Sequence, residues 1–591
     1  MNLNRLLLTT SFLFFIQITV IAQQSYYVDQ QNGQDSYDGL STATAFQNFD
    51  TATSVVQAGD TIAIIGTYLN PSYDANYTYN APNDAHLWHA ENTLQINGLN
   101  GNNNAYITIK AYDQNTKILG DGANIVRIMN GSYLRIEGLN IEGEVKRIPL
   151  STALALQFVY IIADNNMTGT PTHPDMSDIH YHNLDEINDN DGIVEETDIY
   201  TDISNLPVIR PSYTDTRGLY ASNCEHLELI NNKIHHTSGG GLRVADSKFV
   251  KITENDIYRC SARSYSGTHA LVVTKTKPIG SDDSSISIER NLVHHNYNEI
   301  FSWSPKKTII TPRIDEGKGI SLQRNNTNSW INGQGRILVA NNICYWNGFS
   351  GVHSNDGYRI DFINNTCFMN SYTNTVTYAN DTQMGNNIGI SSQRGNDIRM
   401  INNISVVDAG WGGFALSAGN STNLNVRNNL IYGVNGTLAH DSDINDINTI
   451  EQDPLFVDAP TNYLDETHMF DFHLQSGSPA INQGLTGSFI PLIDFYNYQR
   501  DALPDIGAIE FNTTSISELK EKAWGIYPNP ATDKIFVKGL LKDTDYTIFD
   551  ISGKILEQGQ SLHHGISIKK LAQGQYLIKI SNQYFKLIKS E

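Results

Sequence analysis

The chain has 591 residues, a formal net charge of −22, a sequence pI near 5.1 and only 17% charged residues. This is the composition of a large folded protein, not of a disordered one. An acidic surface offers no basic stripe to neutralise phosphates, so nucleic acid is excluded as a partner.

The opening "MNLNRLLLTTSFLFFIQITVIAQQ" has Arg5 in a short polar start, an apolar stretch, and small residues Val20 and Ala22 before Gln23. Residues 1–22 are predicted to be a signal peptide, with an N-terminal membrane anchor as the alternative. Between Glu142 and Arg217 the composition changes, with "HPDMSDIHYHNLDEINDNDGIVEETDIYTD" at its centre. Residues 142–217 are predicted to be an inserted loop region on one face of the main domain. Its "DNDGIVEE" is not an EF-hand, because position one of that loop falls on Ile187.

From about residue 220 one phrase keeps returning: "LELINNKIHH", "VKITENDIYR", "ISIERNLVHH", "ILVANNICYW", "IDFINNTCFM", "IRMINNISVV" and "LNVRNNLIYG". Each unit is an alternating apolar strand, an Asn and a second short strand. The Asn falls at 232, 255, 291, 342, 365, 403 and 429. A period of roughly 20–25 residues without a helical pattern predicts a β-solenoid whose coils stack to bury a continuous apolar column. Asn suits the corner because it tolerates left-handed backbone and its amide can bond to its counterparts in adjacent coils. Four cysteines, Cys224, Cys260, Cys344 and Cys367, leave one or two disulfides open, with buried free thiols preferred.

Aligning the strands before each Asn places Leu242, Leu271, Ile320, Val352, Ile390 and Phe414 inward. The outward face then carries Arg243, Val272, Ser321, His353, Ser391 and Ala415 in one row. Thr274, Gln323, Asn355 and Gln393 form another, and Gly240, His269, Lys318 and Ser350 a third. Beside these rows the long connection "YNEIFSWSPKKTIITPRIDEG" adds Glu299, Trp303, Arg313, Asp315 and Glu316 as a cleft wall on which a sugar can stack.

The segments "YYVDQQNGQDSYDGLSTATAFQNFDTATSVVQAGDTIAI", "YITIKAYDQNTKILGDG", "YLRIEGLNIEG", "DFHLQSGSPAINQG" and "PDIGAIEF", together with the repeats, resemble right-handed parallel β-helix proteins of the pectate-lyase-like superfamily, from about Tyr26 to Phe511. The central coils are most similar to family 9 polysaccharide lyases. The resemblance implies a fold that is all-β, a right-handed parallel β-helix, and an activity on polysaccharide. It does not carry the family's base across, because Ser321 stands at the position of the family's Lys and Lys318 at that of an Asn. Family 6 lyases offer a second comparison, with Lys, Arg and calcium, but no residue-by-residue match.

The function expected is a lyase cleaving an acidic, uronate-containing glycan by β-elimination. That reaction needs a neutralised carboxylate, a base for the adjacent proton and an acid for the leaving oxygen. Lys318 or His269 is the candidate base, and Arg324 or Arg336 the group that grips the carboxylate or assists departure. Arg243, Trp303, Arg313, Ser321, Gln323 and His353 are expected to bind substrate. Calcium held by Glu299, Asp315 and Glu316 is the alternative neutraliser. A glycoside hydrolase, with two carboxyl groups across the scissile bond, and a non-catalytic glycan-binding surface protein are the other readings.

From Thr513 the chain changes again, through "TTSISELKEKAW" to "GIYPNPATDKIFVKGL", "YTIFDISGKILEQGQ" and "GQYLIKI". Alternating strands with Gly-containing turns predict a small C-terminal β-sandwich. It closely resembles the C-terminal sorting domain of the Bacteroidetes type IX secretion system, which implies that machinery as a partner and a secreted or cell-surface location. The domain plan is thus a β-helix over 23–512, a linker over 513–524 and a sorting domain over 525–591, in a chain expected to be a monomer.

Overall fold

The computed structural model describes residues 23–70, 73–79, 92–155, 159–163, 179–183, 208–209, 212–264, 266–281, 283–300, 313–314, 316–371, 383–384, 388–511, 525–527, 529, 531–538, 544–550, 554–561, 565–580 and 583–590. The expected signal peptide and linker lie outside the described residues. The chain divides into two compact units between Phe511 and Asn512.

In the first unit each coil contributes up to three short strands, one to each of three faces. One coil runs through Leu242–Ala245, Lys248–Thr253 and Asp256–Tyr258. The next runs through Leu271–Thr274, Ser284–Glu289 and Leu292–His294, pairing with the first in parallel on every face. The long strand Ser350–Ile363 joins the first face to the second, pairing with Ile320–Asn325 along one half and Arg336–Ala340 along the other. This is the β-solenoid that the repeat predicts, in the form of the right-handed parallel β-helix that the resemblance implies.

The interior follows from the period-2 alternation of the strands. Leu242, Leu271, Ile320, Val352 and Ile390 occupy successive rungs and are buried. The next rung is Leu416, not Phe414, which instead lies opposite Ile388. The slip is two residues, so the same face stays inward.

The corner asparagines form one continuous chain. The side-chain amide of Asn232 donates to Asn255 Oδ1 at 3.0 Å, and the pattern repeats through Asn291, Asn342, Asn365, Asn403 and Asn429 at 2.9–3.0 Å. Each of the six acceptor oxygens also takes the backbone N–H of the preceding ladder residue. The left-handed conformation belongs to the residue before: Asn231, Glu254, Arg290, Asn341, Asn364, Asn402 and Asn428 all have φ between 50° and 58°. The two tasks assigned to one corner residue are thus divided between neighbours. A shorter ladder, Asn296, Asn347 and Asn370, runs at 2.9 and 2.8 Å along another corner.

All four cysteines are buried free thiols, with Cys344 and Cys367 paired on adjacent strands. Within the insertion, Val159–Ala163 pairs antiparallel with Ile179–Asn183 and with Val208–Ile209. The second unit has a four-stranded antiparallel sheet, Thr544–Phe549, Ile555–Ser561, Gly574–Ile580 and Gln583–Lys589, and a smaller three-stranded one. Its own core contains Ile535, Ile548, Ile578, Ile580 and Leu587.

Candidate active site

Six strands of the first face position the candidate groups: β1 (Arg217–Ser222), β2 (Leu242–Ala245), β3 (Leu271–Thr274), β4 (Ile320–Asn325), β5 (Ser350–Ile363) and β6 (Ile388–Gln393). Arg243, Val272, Ser321, His353 and Ser391 form one outward row. Ala245, Thr274, Gln323, Asn355 and Gln393 form the next. His269 and Lys318 stand on adjacent coils just before β3 and β4, since Ala270 N–H donates to the Lys318 carbonyl.

These rows are not open along their length. Lys318, Ser321 and His353 are buried, as are Val272 and Ser391. His353 Nδ1 is 2.7 Å from Ser391 Oγ, and burial, with Lys318 and His269 nearby, holds its pKa well below the usual imidazole value. It is a neutral, covered residue, not an exposed contact for sugar. Lys318 rests over the Phe349 ring, 4.6 Å from its centre, with Nζ 3.4 Å from Glu316 Oε2.

The open space is a cleft of about 340 Å³ alongside, lined in part by Arg217, Gly240, Arg243, His269, Glu316 and Arg324, with Thr268, Gln323 and Asn355 on its wall. His269 joins cleft to interior. Its Nδ1 faces the Lys318 backbone N–H at 3.4 Å, a group that can only donate. Nδ1 therefore accepts, and Nε2 carries the ring proton towards Glu316 Oε2 at 3.4 Å and the Gln323 amide at 2.8 Å. The amide nitrogen of Gln323 is the end placed against Nε2, and turning the amide end for end brings its oxygen to this donor. Glu316 thus sits between two donors, His269 and Lys318.

The cleft is electropositive for reasons visible in its pairing. Arg324 is exposed at the end of β4 with φ 54°. Burial lowers the pKa of Arg243, and the Arg217 and Arg324 guanidiniums lower it further. Among the described residues no carboxylate forms an ion pair with Arg243 or Arg324.

Two expected participants lie elsewhere. Arg336 belongs to the second face, where Asp361 and Asp397 hold it with contacts down to 2.6 Å. Its outward direction in the repeat is right, but it is on the wrong side of the coil. Glu299 is paired with Arg263 and does not line the cleft. Trp303 and Asp315 lie outside the described residues, as does the side chain of Arg313, whose backbone pairs with Gln383. Calcium takes six to eight oxygens, several of them carboxylate. The described lining supplies one carboxylate, Glu316, already engaged by Lys318 and His269 amid guanidiniums, and does not fit that ion.

Arg217 lies in the cleft but outside the expected set, although "RGLYAS" before "LELINN" aligns with "GGLRVA" one coil on and marks it as the start of a groove strand.

Residues 525–590 match the secretion system C-terminal sorting domain. The chain is therefore exported to the cell surface or out of the cell by type IX secretion. No curated protein matches the chain. Among solved structures it is similar to pectate lyase Pel9A, at 14% identity over 83% of this chain and 97% of that one with a TM-score of 0.40. It is also similar to a rhamnogalacturonan lyase, at 14% over 84% and 98% with a TM-score of 0.32. A third is the GH136 lacto-N-biosidase from Eubacterium ramulus, at 11% over 69% and 56% with a TM-score of 0.34.

Proposed function

We propose that the chain is an exported enzyme that cleaves an acidic polysaccharide by β-elimination. The observation that carries this reading is the pairing pattern of the cleft: a carboxylate flanked by two hydrogen donors, beside the Arg243 and Arg324 guanidiniums, which pair with no carboxylate among the described residues. Arg324, on the coil of Lys318, neutralises the uronate carboxylate and so acidifies the adjacent C–H. Glu316 takes that proton. The electron pair left on carbon forms the new double bond as the C–O bond to the next sugar breaks; the departing oxygen takes the His269 Nε2 proton, which is replaced by the proton now on Glu316 Oε2, 3.4 Å away, so that the imidazole and the carboxylate both end as they began.

This assignment moves the base from Lys318 to Glu316. Lys318 is buried behind the cleft lining with its Nζ turned to Glu316 Oε2 at 3.4 Å, so it does not face the substrate C–H. Lys318 instead orients Glu316 from beneath. Hydrolysis by paired carboxyl groups draws less support, since Glu316 is the one carboxylate in the described lining.

The test is ultraviolet absorbance of unsaturated product from a panel of uronic polysaccharides. Glu316→Gln is expected to lower kcat by roughly a hundredfold or more, in the range typical of lost general catalysis, with little change in binding. New reducing ends without unsaturated product would overturn elimination.

A further inference from the structure

Resting on the reading of the cleft as a glycan site, we infer that it contains a second anion-binding position, at the notch over Gly240, which takes a carboxylate or sulfate carried by a sugar other than the one that reacts. Gly240 lies on the coil before His269, its ideal Cβ position 3.0 Å from the His269 carbonyl. It leaves the cleft floor without a side chain between Arg217 and His269. Arg217 borders this gap on the preceding coil, and Arg243 projects three residues along from Gly240 on its own coil.

The pairing around the notch is incomplete. Asp215 lies 3.7 Å from Arg217, too long for a forked bond, and its two oxygens accept from Ser264 Oγ at 2.5 Å and Ser266 Oγ at 2.6 Å. Half-buried Arg243 forms no ion pair with any described carboxylate and feels the like charges of Arg217 and Arg324. Keeping like charges together beside a partly buried position is costly unless a ligand completes the set. In a chain of net charge −22 there is no shortage of carboxylates that could have done so. Thr268 Oγ1, on the same wall, is buried without a hydrogen-bond partner among the described residues and adds a polar contact.

Adjacent coils are about 4.8 Å apart. The notch therefore lies about one coil from His269, the donor to the departing oxygen, and about two from Glu316, so it faces the sugar on the leaving side of the scissile bond. The preferred substrate carries negative charge on neighbouring sugars, not on isolated ones.

Calorimetric titration of the full chain carrying Glu316→Gln, which removes turnover, tests this. The probes are an oligo-uronate charged on every sugar, a sulfated oligosaccharide of neutral sugars, an oligosaccharide of alternating uronate and neutral sugars, and a neutral oligosaccharide. Adding Arg243→Gln is expected to weaken oligo-uronate or sulfated-probe binding roughly tenfold or more and to leave the neutral probe unaffected. The alternating probe is expected to lose less. Whichever charged probe responds identifies the anion. Arg217→Gln provides a second reading should Arg243→Gln fail to fold, as judged by its melting curve. Unchanged affinity for both charged probes in the folded variant, or equally tight binding of the neutral probe by the parent, overturns the notch. Arginine-dependent binding in a wild-type chain that yields no unsaturated product would instead overturn elimination and leave the notch standing.

Discussion

At the scale of single residues, Lys318 shows how burial changes a role. An outward position on a solenoid reads as exposed, and an exposed lysine adds little to folding. Here the side chain is covered, lies over Phe349 and pairs with Glu316. Lys318→Ala is therefore expected to cost about 2 kcal/mol of stability through the cavity left over Phe349 and the lost partner of partly buried Glu316, read as an earlier denaturant midpoint, as well as lowering turnover. A stability unchanged from wild type would show that the ammonium is solvated. The residue types in the site were legible because alternation and the repeat register assign His269, Lys318, Ser321 and His353 to neighbouring outward positions. Their accessibility was not, because cover comes from chain remote in sequence. Arg336 illustrates the same limit, since outward direction alone does not distinguish one face of a coil from another.

At the scale of elements, the Asn ladder is the device most directly readable in the sequence, and its seven positions are those of the recurring phrase. Asn342→Ala removes an amide bonded on both sides and leaves buried partners unsatisfied. A loss of about 2–3 kcal/mol follows, whereas exposed Asn104→Ala should change stability by less than about 0.5 kcal/mol. The third face carries a different ladder, in which His235, Tyr258, His294 and Tyr345 stack at 4.8–5.1 Å. His235 and His236 face each other Nδ1 to Nδ1 at 2.7 Å, as do His294 and His295. Burial first, then neighbouring positive charge, lowers His235, His236 and His295 to about 3 from 6.5. The folded form thus keeps neutral what the unfolded chain protonates. Stability is full above about pH 6.5 and falls as pH drops towards 3. Urea titrations across that window should show the decline, and His236→Gln should flatten it; an unchanged slope would assign acid sensitivity to other groups.

At the scale of the whole molecule, the two units have separate cores, and residues 525–590 carry the export signal. A chain ending at Phe511 is expected to retain the melting transition of the β-helix while failing to leave the cell. Loss of that transition would show that the sorting unit contributes to folding of the first. The change of composition begins at Thr513, two residues beyond Phe511, where a solenoid repeat gives way to the different strand spacing of an antiparallel sandwich.

The Asn chain also has an architectural consequence. Its successive members are 23, 36, 51, 23, 38 and 26 residues apart, yet the bond between them hardly varies in length. Coil length and coil registration are therefore decoupled. An excursion of more than two dozen residues enters between two rungs without disturbing the rungs themselves. The protein behaves as a rail with interchangeable fittings, in which the 51-residue coil carrying Glu316 and Arg324 is the fitting that furnishes the cleft. Exchanging that fitting for one of different length, with Asn291 and Asn342 retained as its end points, offers a route to new glycan selectivity on an unaltered rail.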